Sequence, residues 1–279
     1  MATAPKGDVF DPVEITERFF TVVKSINEFD KAEMGGTMET LLLPTPRDIC
    51  FQANYTRARA NIDSILILKR LRDFQAVAMI ARSLMELAID VKLIDVVPDA
   101  VKKMMVFSDV EKLRTAKRIV TFKKAHPTAL IDVDQNYQKF ADSEGAAIDA
   151  DRAAIWPGVK GSDLRHWAHL NLAERAVKVG GEMEELHAGF YLQLSLYVHS
   201  GLTGFFNVSR EGFQALAGVT FNVIIKSYIA ILSELIREYK LFRATEQIRE
   251  KMDLARTLPF TSTPEEAKAL SKELLGGYG

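Results

Sequence analysis

The stretch FQAVAMIARSLMELAIDVKLIDVV, residues 74–97, decides the fold class. At about 100° per residue, its side chains divide into two unequal arcs. Phe74, Val77, Ala78, Ile80, Ala81, Leu84, Met85, Leu87, Ala88, Ile89, Val91 and Ile94 cover roughly 220° of the circumference, with Lys92 as the charged interruption. A narrower stripe carries Arg72, Gln75, Met79, Arg82, Ser83, Glu86 and Asp90. A helix apolar over so much of its surface packs on several sides, so the stretch predicts a central helix. Its polar stripe is either a face left to solvent or the lining of an internal site.

The flanking sequence repeats this logic. Asp11-Pro12 reads as an N-cap and first helical residue, followed by Ile15, Phe19, Val22, Val23 and Ile26 at helical spacing. Met34-Gly35-Gly36 breaks the chain, and Thr45-Pro46 opens a second helix through Tyr55 and Ile62 to about Lys69. Pro98 ends the central helix. Ser108 to Glu111 has the form of a capping box and predicts a helix start there. Trp156-Pro157-Gly158-Val159-Lys160-Gly161 is the clearest loop, and Ser162 is placed to cap a helix that stops at Gly180-Gly181. Apolar helices are expected over about 184–206 and 211–242, and Thr263-Pro264 opens C-terminal turns. Nothing alternates with period two for long and no fixed repeat is visible. The expectation is an all-α protein, a single bundle of roughly seven to nine helices over residues 1–279, with a peripheral arm (1–10) and tail (255–279).

Composition excludes several classes. The chain has 279 residues, 48% hydrophobic and 26% charged, which suits a globular domain with a large core. Net charge is −1, so no global field points to nucleic acid or an anionic membrane. Cys50 is the one cysteine, which rules out an intramolecular disulfide and fits a cytoplasmic location. The apolar region Phe213–Ile236 contains Asn222, Lys226, Ser227 and Glu234, and reads as a buried helix rather than a membrane span. Between 102 and 124 eight Lys and Arg face only Asp109 and Glu111, whereas 132–151 is acidic. The plain reading is two helix faces that attract each other; a phosphate or nucleic-acid patch is the alternative.

Two groups carry candidate chemistry. Arg82, Glu86 and Asp90 stand at i, i+4 and i+8, either as a surface ion-pair ladder or as a wall offering a guanidinium to an anion. His199, on an apolar helix, reads either as a core histidine with one hydrogen-bond partner or, with Tyr191 and Ser195 on the same face, as part of a group that offers two hydroxyls and an imidazole to a shared space. His166, His169 and Glu174, and Glu184 with His187, lack the spacing of a zinc or di-metal site, so no metal and no cofactor is expected. Phosphate-loop, dinucleotide and serine-hydrolase motifs are absent, and Cys50 reads as core.

ArgSerLeuMetGlu at 82–86 and LeuSerLeuTyrValHisSerGly at 194–201, preceded by Trp167 and Tyr191, together resemble an uncharacterised bacterial family, catalogued as domain of unknown function 5677. Its members look similar in an Arg-x-x-x-Glu on an early core helix and a Tyr-x-x-x-Ser-x-x-x-His on a late one. The resemblance covers about Ile62 to Gly204; it implies an all-helical fold and brings no established activity. A more distant likeness is to helical nucleotide-binding and ribonuclease domains of bacterial defence systems. Those carry Arg with His four to six residues later, whereas Arg82 has no such His and His126 lies too far from Arg118, which argues against RNA cleavage of that kind.

The sequence therefore predicts a cytoplasmic all-α protein that binds a small anionic or nucleotide-like ligand through Arg82, Glu86, Tyr191, Ser195 and His199. A protein-interaction module without a ligand site is the alternative, and a metal-dependent hydrolase the second. Catalysis and a homo-oligomer stay open; membrane and nucleic-acid partners are not expected.

Overall fold

A computed structural model describes residues 12–35, 44–68, 74–128, 135–196, 210–241, 244 and 246–251. Among these residues the protein is all-α, with no strand. Eight helices run in order: α1 (Pro12–Glu33), α2 (Pro46–Ile67), α3 (Phe74–Val96), α4 (Ala100–Ala125), α5 (Gln135–Ile155), α6 (Leu172–Val179), α7 (Gly181–Ser195) and α8 (Arg210–Glu238). His199, the arm 1–10 and the tail 255–279 lie outside the described residues.

The chain divides into two compact units. The first comprises 1–43, 51–92 and 179–279, and the second 44–50 and 93–178. In the first unit the segment Leu216–Glu238 of α8 has the length and composition to cross a membrane. Two thirds of its most apolar window (67%) is nevertheless buried within the protein. Phe221 of α8 stacks on Phe19 of α1 at 5.0 Å and meets Phe20 edge-on at 4.9 Å. Burying rings of this size stabilises the unit by about 1.5–3 kcal/mol each. The apolar arc of α3 is buried as its periodicity requires: Val77, Ala78, Ala81, Leu84, Met85, Ala88 and Ile89 are all nearly inaccessible. Lys92, the charge that interrupts this arc, pairs with Glu234 of α8 at 2.8 Å.

A polar cluster sits inside this apolar unit. Asp30 of α1 is fully buried (0% exposed). The Tyr55 hydroxyl donates to its Oδ1 at 2.6 Å, and the Tyr228 hydroxyl donates to its Oδ2 at 2.6 Å. Arg59 lies 3.5 Å from Oδ2 and stands over the Tyr55 ring at 5.6 Å. One carboxylate thus ties α1, α2 and α8. Removal from water pushes the Asp30 carboxyl above its ordinary range, opposed by the two tyrosine hydrogen bonds and by Arg59. The same burial, reinforced by the carboxylate, pushes both tyrosine hydroxyls up.

In the second unit α4 packs along α5, and Val110, Leu113, Ile148, Trp156 and Leu164 form its core. Two arginines secure the loop after α5. Arg114 of α4 donates to the carbonyls of Gly161 and of Leu164, the latter at 2.6 Å, and Arg152 of α5 donates to the Val159 carbonyl. The charge reversal between the two helices appears as Lys117 paired with Asp149 at 3.2 Å.

Local signals placed several boundaries correctly and two wrongly. The Thr45 main-chain N–H and hydroxyl both donate to the Asp48 carboxylate, and the Asp48 N–H returns a bond to the Thr45 hydroxyl, capping α2. Gly180 and Gly181 both adopt positive φ (71° and 54°) where α6 gives way to α7, which favours glycine. Ser108 to Glu111 does not start a helix: α4 begins at Ala100 and runs through it. Val101, Met104 and Phe107 keep the helical spacing going upstream, and an exposed Ser108 costs such a helix little. Ser162 likewise opens no helix; residues 162–171 are turns and irregular chain. The cap lies at Asn171, whose N–H donates to Glu174 at 2.7 Å while the Glu174 N–H donates to the Asn171 side chain at 3.0 Å.

Asp30→Ala leaves two buried hydroxyls and Arg59 without their acceptor, and should cost on the order of 3–5 kcal/mol in denaturant unfolding, against about 1–3 kcal/mol for Tyr228→Phe. The native carboxyl holds its proton more tightly than the unfolded one. Its stabilising contribution is therefore present at low pH and lost as pH rises from the ordinary carboxylate range through the raised native value. Asp30→Asn should flatten that part of the stability–pH profile.

Candidate functional site

The site expected from the sequence is centred on α3. The stripe opposite its buried arc is exposed at Gln75 and Met79 and half-buried further on, where Arg82, Ser83, Glu86 and Asp90 are all intermediate in exposure. The Arg82 side chain is 18% exposed and the Glu86 side chain 35%. Arg82 Nε donates to Glu86 Oε1 at 3.0 Å, the i, i+4 pair that one helical turn brings together. Arg82 Nη2 donates to the Tyr191 hydroxyl of α7 at 2.7 Å. The guanidinium carbon stands 4.8 Å from the Tyr191 ring centroid, within the range of a cation–π contact.

Three of the expected residues, Arg82, Glu86 and Tyr191, thus meet through one guanidinium. Ser195 is buried one turn after Tyr191, but its hydroxyl donates back to the Tyr191 carbonyl at 2.8 Å. That is the local alternative a serine takes inside a helix, and it directs the hydroxyl along the backbone of α7. His199 lies outside the described residues. His187, one turn before Tyr191, was not part of the expected group, yet it stacks on the Tyr191 ring at 4.8 Å between centroids. Its spacing of four residues from Tyr191 was the available signal.

Arg82 has one further feature. Its Nη1 is buried and has no hydrogen-bond partner among the described residues. The Tyr191 hydroxyl accepts from Arg82 and donates to nothing among the described residues. The cluster therefore offers N–H and O–H donors to an acceptor that the described residues do not supply, beside a carboxylate that balances the arginine charge.

The histidines do other work. The Ala168 N–H donates to His166 Nδ1 at 3.1 Å, and His166 Nε2 lies 3.0 Å from Arg175 Nη1. Among the described residues no three His, Cys, Asp or Glu side chains group as ligands for one ion. The buried Asp30 cluster was missed by sequence reasoning. The signal was present: Asp30 follows Ile26 by one turn on the apolar stripe of α1, a place where an acid must find partners.

The helices and this arginine-centred cluster define a class: an all-α bundle with a polar group between helices. Residues 48–214 match the family described as "Family of unknown function (DUF5677)", and the chain belongs to that family. A comparison with curated proteins found no match, and neither did one with solved structures.

Since Arg82 is part-exposed and Glu86 retains water contact, Arg82→Ala should destabilise by about 1–2 kcal/mol, below the roughly 3–5 kcal/mol expected for a fully buried pair. Tyr191→Phe should cost less, about 1 kcal/mol, because the ring still covers the guanidinium. Denaturant unfolding of the two variants checks the order.

Proposed function

We propose that this protein binds a small anionic ligand, a nucleotide-like one included, at the Arg82 cluster, and that it works in the cytoplasm. The observation that carries this reading is the buried Nη1 of Arg82, which has no partner among the described residues. A buried guanidinium N–H left without an acceptor costs on the order of 1–3 kcal/mol, so an incoming oxygen is favoured there. The Tyr191 hydroxyl is already held at 2.7 Å from Nη2 and supplies a second donor at no cost in ordering. An oxyanion bridging the two fits this donor pair. Glu86 sets the selectivity: it neutralises Arg82 and repels a dense negative charge, which favours a carboxylate or a singly charged phosphate over a more highly charged group.

A second reading, a protein-interaction role, is favoured by the outer face of α7. Leu192 is 75% exposed and Leu196, one turn on, 40%. Apolar side chains at that spacing suit a partner helix.

Thermal unfolding with acetate, succinate, inorganic phosphate and a nucleoside monophosphate separates the readings. At 100 times Kd a ligand adds about 2.7 kcal/mol to stability. A concentration-dependent rise in Tm that disappears in Arg82→Gln supports the binding site. A flat response for all four, together with a change in oligomeric state on Leu192→Ser by light scattering, supports the interaction role.

A further inference from the structure

The basic run on α4 is only partly consumed by pairing with α5. Within the second unit a cavity of about 600 Å³ opens beside α4, within the range of about 300–1,000 Å³ usual for small-molecule sites. Its floor is apolar: Val110 and Leu113 belong to the core, and Phe122 is 42% exposed at one end. Its walls carry Arg114, Lys117, Arg118 and Lys160 against one carboxylate, Asp149.

These cations are not equivalent. Arg114 is paired with Glu111 and anchored to the Gly161 and Leu164 carbonyls, so it fixes the wall. Lys117 is paired with Asp149 at 3.2 Å. Arg118, on α4, and Lys160, in the loop after α5, form no ion pair among the described residues. Pairing within the cavity thus leaves two positive charges, on two different elements. The buried Arg114 Nε also has no hydrogen-bond partner among the described residues. Phe122 stands one turn beyond Arg118 on the same helix, with its ring in part open to the cavity.

We infer that this cavity is a binding site for a phosphate monoester carrying a flat aromatic body, with Arg118 and Lys160 holding the phosphate and Phe122 and the apolar floor holding the ring. The charges match: a phosphate monoester carries about −1.5 to −2 at neutral pH, and the two unpaired cations supply +2. A free phosphate ion would leave the apolar floor uncovered, and an uncharged ring would leave both cations unpaired. A nucleic-acid strand is the weaker fit. Its backbone needs a row of cations with several aromatic rings between them, whereas Phe122 is the one aromatic ring in the lining of this cavity, with His126 against it at 4.7 Å between centroids. This site shares no residue with the Arg82 cluster, so either stands without the other.

Isothermal titration of the full chain with phenyl phosphate, adenosine monophosphate, inorganic phosphate and a single-stranded RNA oligomer tests the inference. At least one of the two aromatic esters should bind about tenfold or more tightly than inorganic phosphate. Binding of both esters identifies aryl phosphates in general, and of the adenosine ester alone, nucleotides. Arg118→Ser combined with Lys160→Ser should weaken the ester about tenfold or more. Both side chains are exposed, so the fold should persist, which circular dichroism verifies. Phe122→Ser should weaken the ester and leave inorganic phosphate unchanged, and Arg82→Gln should leave ester binding at this site unchanged. The inference is overturned if neither ester binds, if inorganic phosphate binds as well as they do, if the double variant binds normally, or if RNA binds in preference to both.

Discussion

A carboxylate with no access to water governs the first unit. Asp30 has two acceptor oxygens, and each accepts a tyrosine hydroxyl at 2.6 Å, one from α2 and one from α8. An apolar contact tolerates sliding, but a buried carboxylate does not, because each lost bond leaves a charged oxygen unsatisfied in a low dielectric. The helices that supply Tyr55, Arg59 and Tyr228 must therefore arrive in register with α1. The stacked and edge-on rings of Phe19, Phe20 and Phe221 add the apolar part of the same interface. In the second unit arginines play the corresponding role. Arg114 and Arg152 each reach backbone carbonyls of the loop after α5, holding irregular chain against a regular helix pair.

The two candidate sites differ in kind. At Arg82 the positive charge is balanced by Glu86 and covered by Tyr191, and what remains is a directional donor without an acceptor. Such a site selects by hydrogen-bond geometry more than by field. Beside α4 the cations outnumber the carboxylates and lie over an apolar floor. That site attracts by charge and selects by the shape of the uncharged part. Membership of a family of unknown function fixes neither ligand.

How much of this was legible in the sequence depends on distance along the chain. The spacing of apolar residues at 74–97 determined that α3 is a buried helix, because helical geometry repeats every turn whatever the neighbours do. Glycines at 180 and 181 and the proline at 98 marked helix ends for the same local reason. The link between Arg82 and Glu86 followed from one turn of helix. Capping patterns were less dependable. The Ser108 pattern lies inside α4 because a cap residue is also tolerated within a helix where it faces solvent, and the pattern alone does not show which case holds.

Tertiary structure alone decided the pairings that span the chain. Asp30 and Tyr228 are 198 residues apart, and Arg82 and Tyr191 are 109 apart. Composition and spacing place each of these side chains on a face, but the partner depends on which helices pack together and at what height. The same holds for the cavity beside α4. The sequence displayed a surplus of cations between 102 and 124, and Arg114 meets Glu111 within one turn of α4, yet the neutralisation of Lys117 was settled only when Asp149 of α5 came within reach. By itself the sequence determined the helices and their buried faces, which are set by interactions within a turn. The polar contacts were left to the tertiary structure, since a hydrogen bond requires positions fixed to a few tenths of an ångström, and packing alone supplies that precision between distant segments.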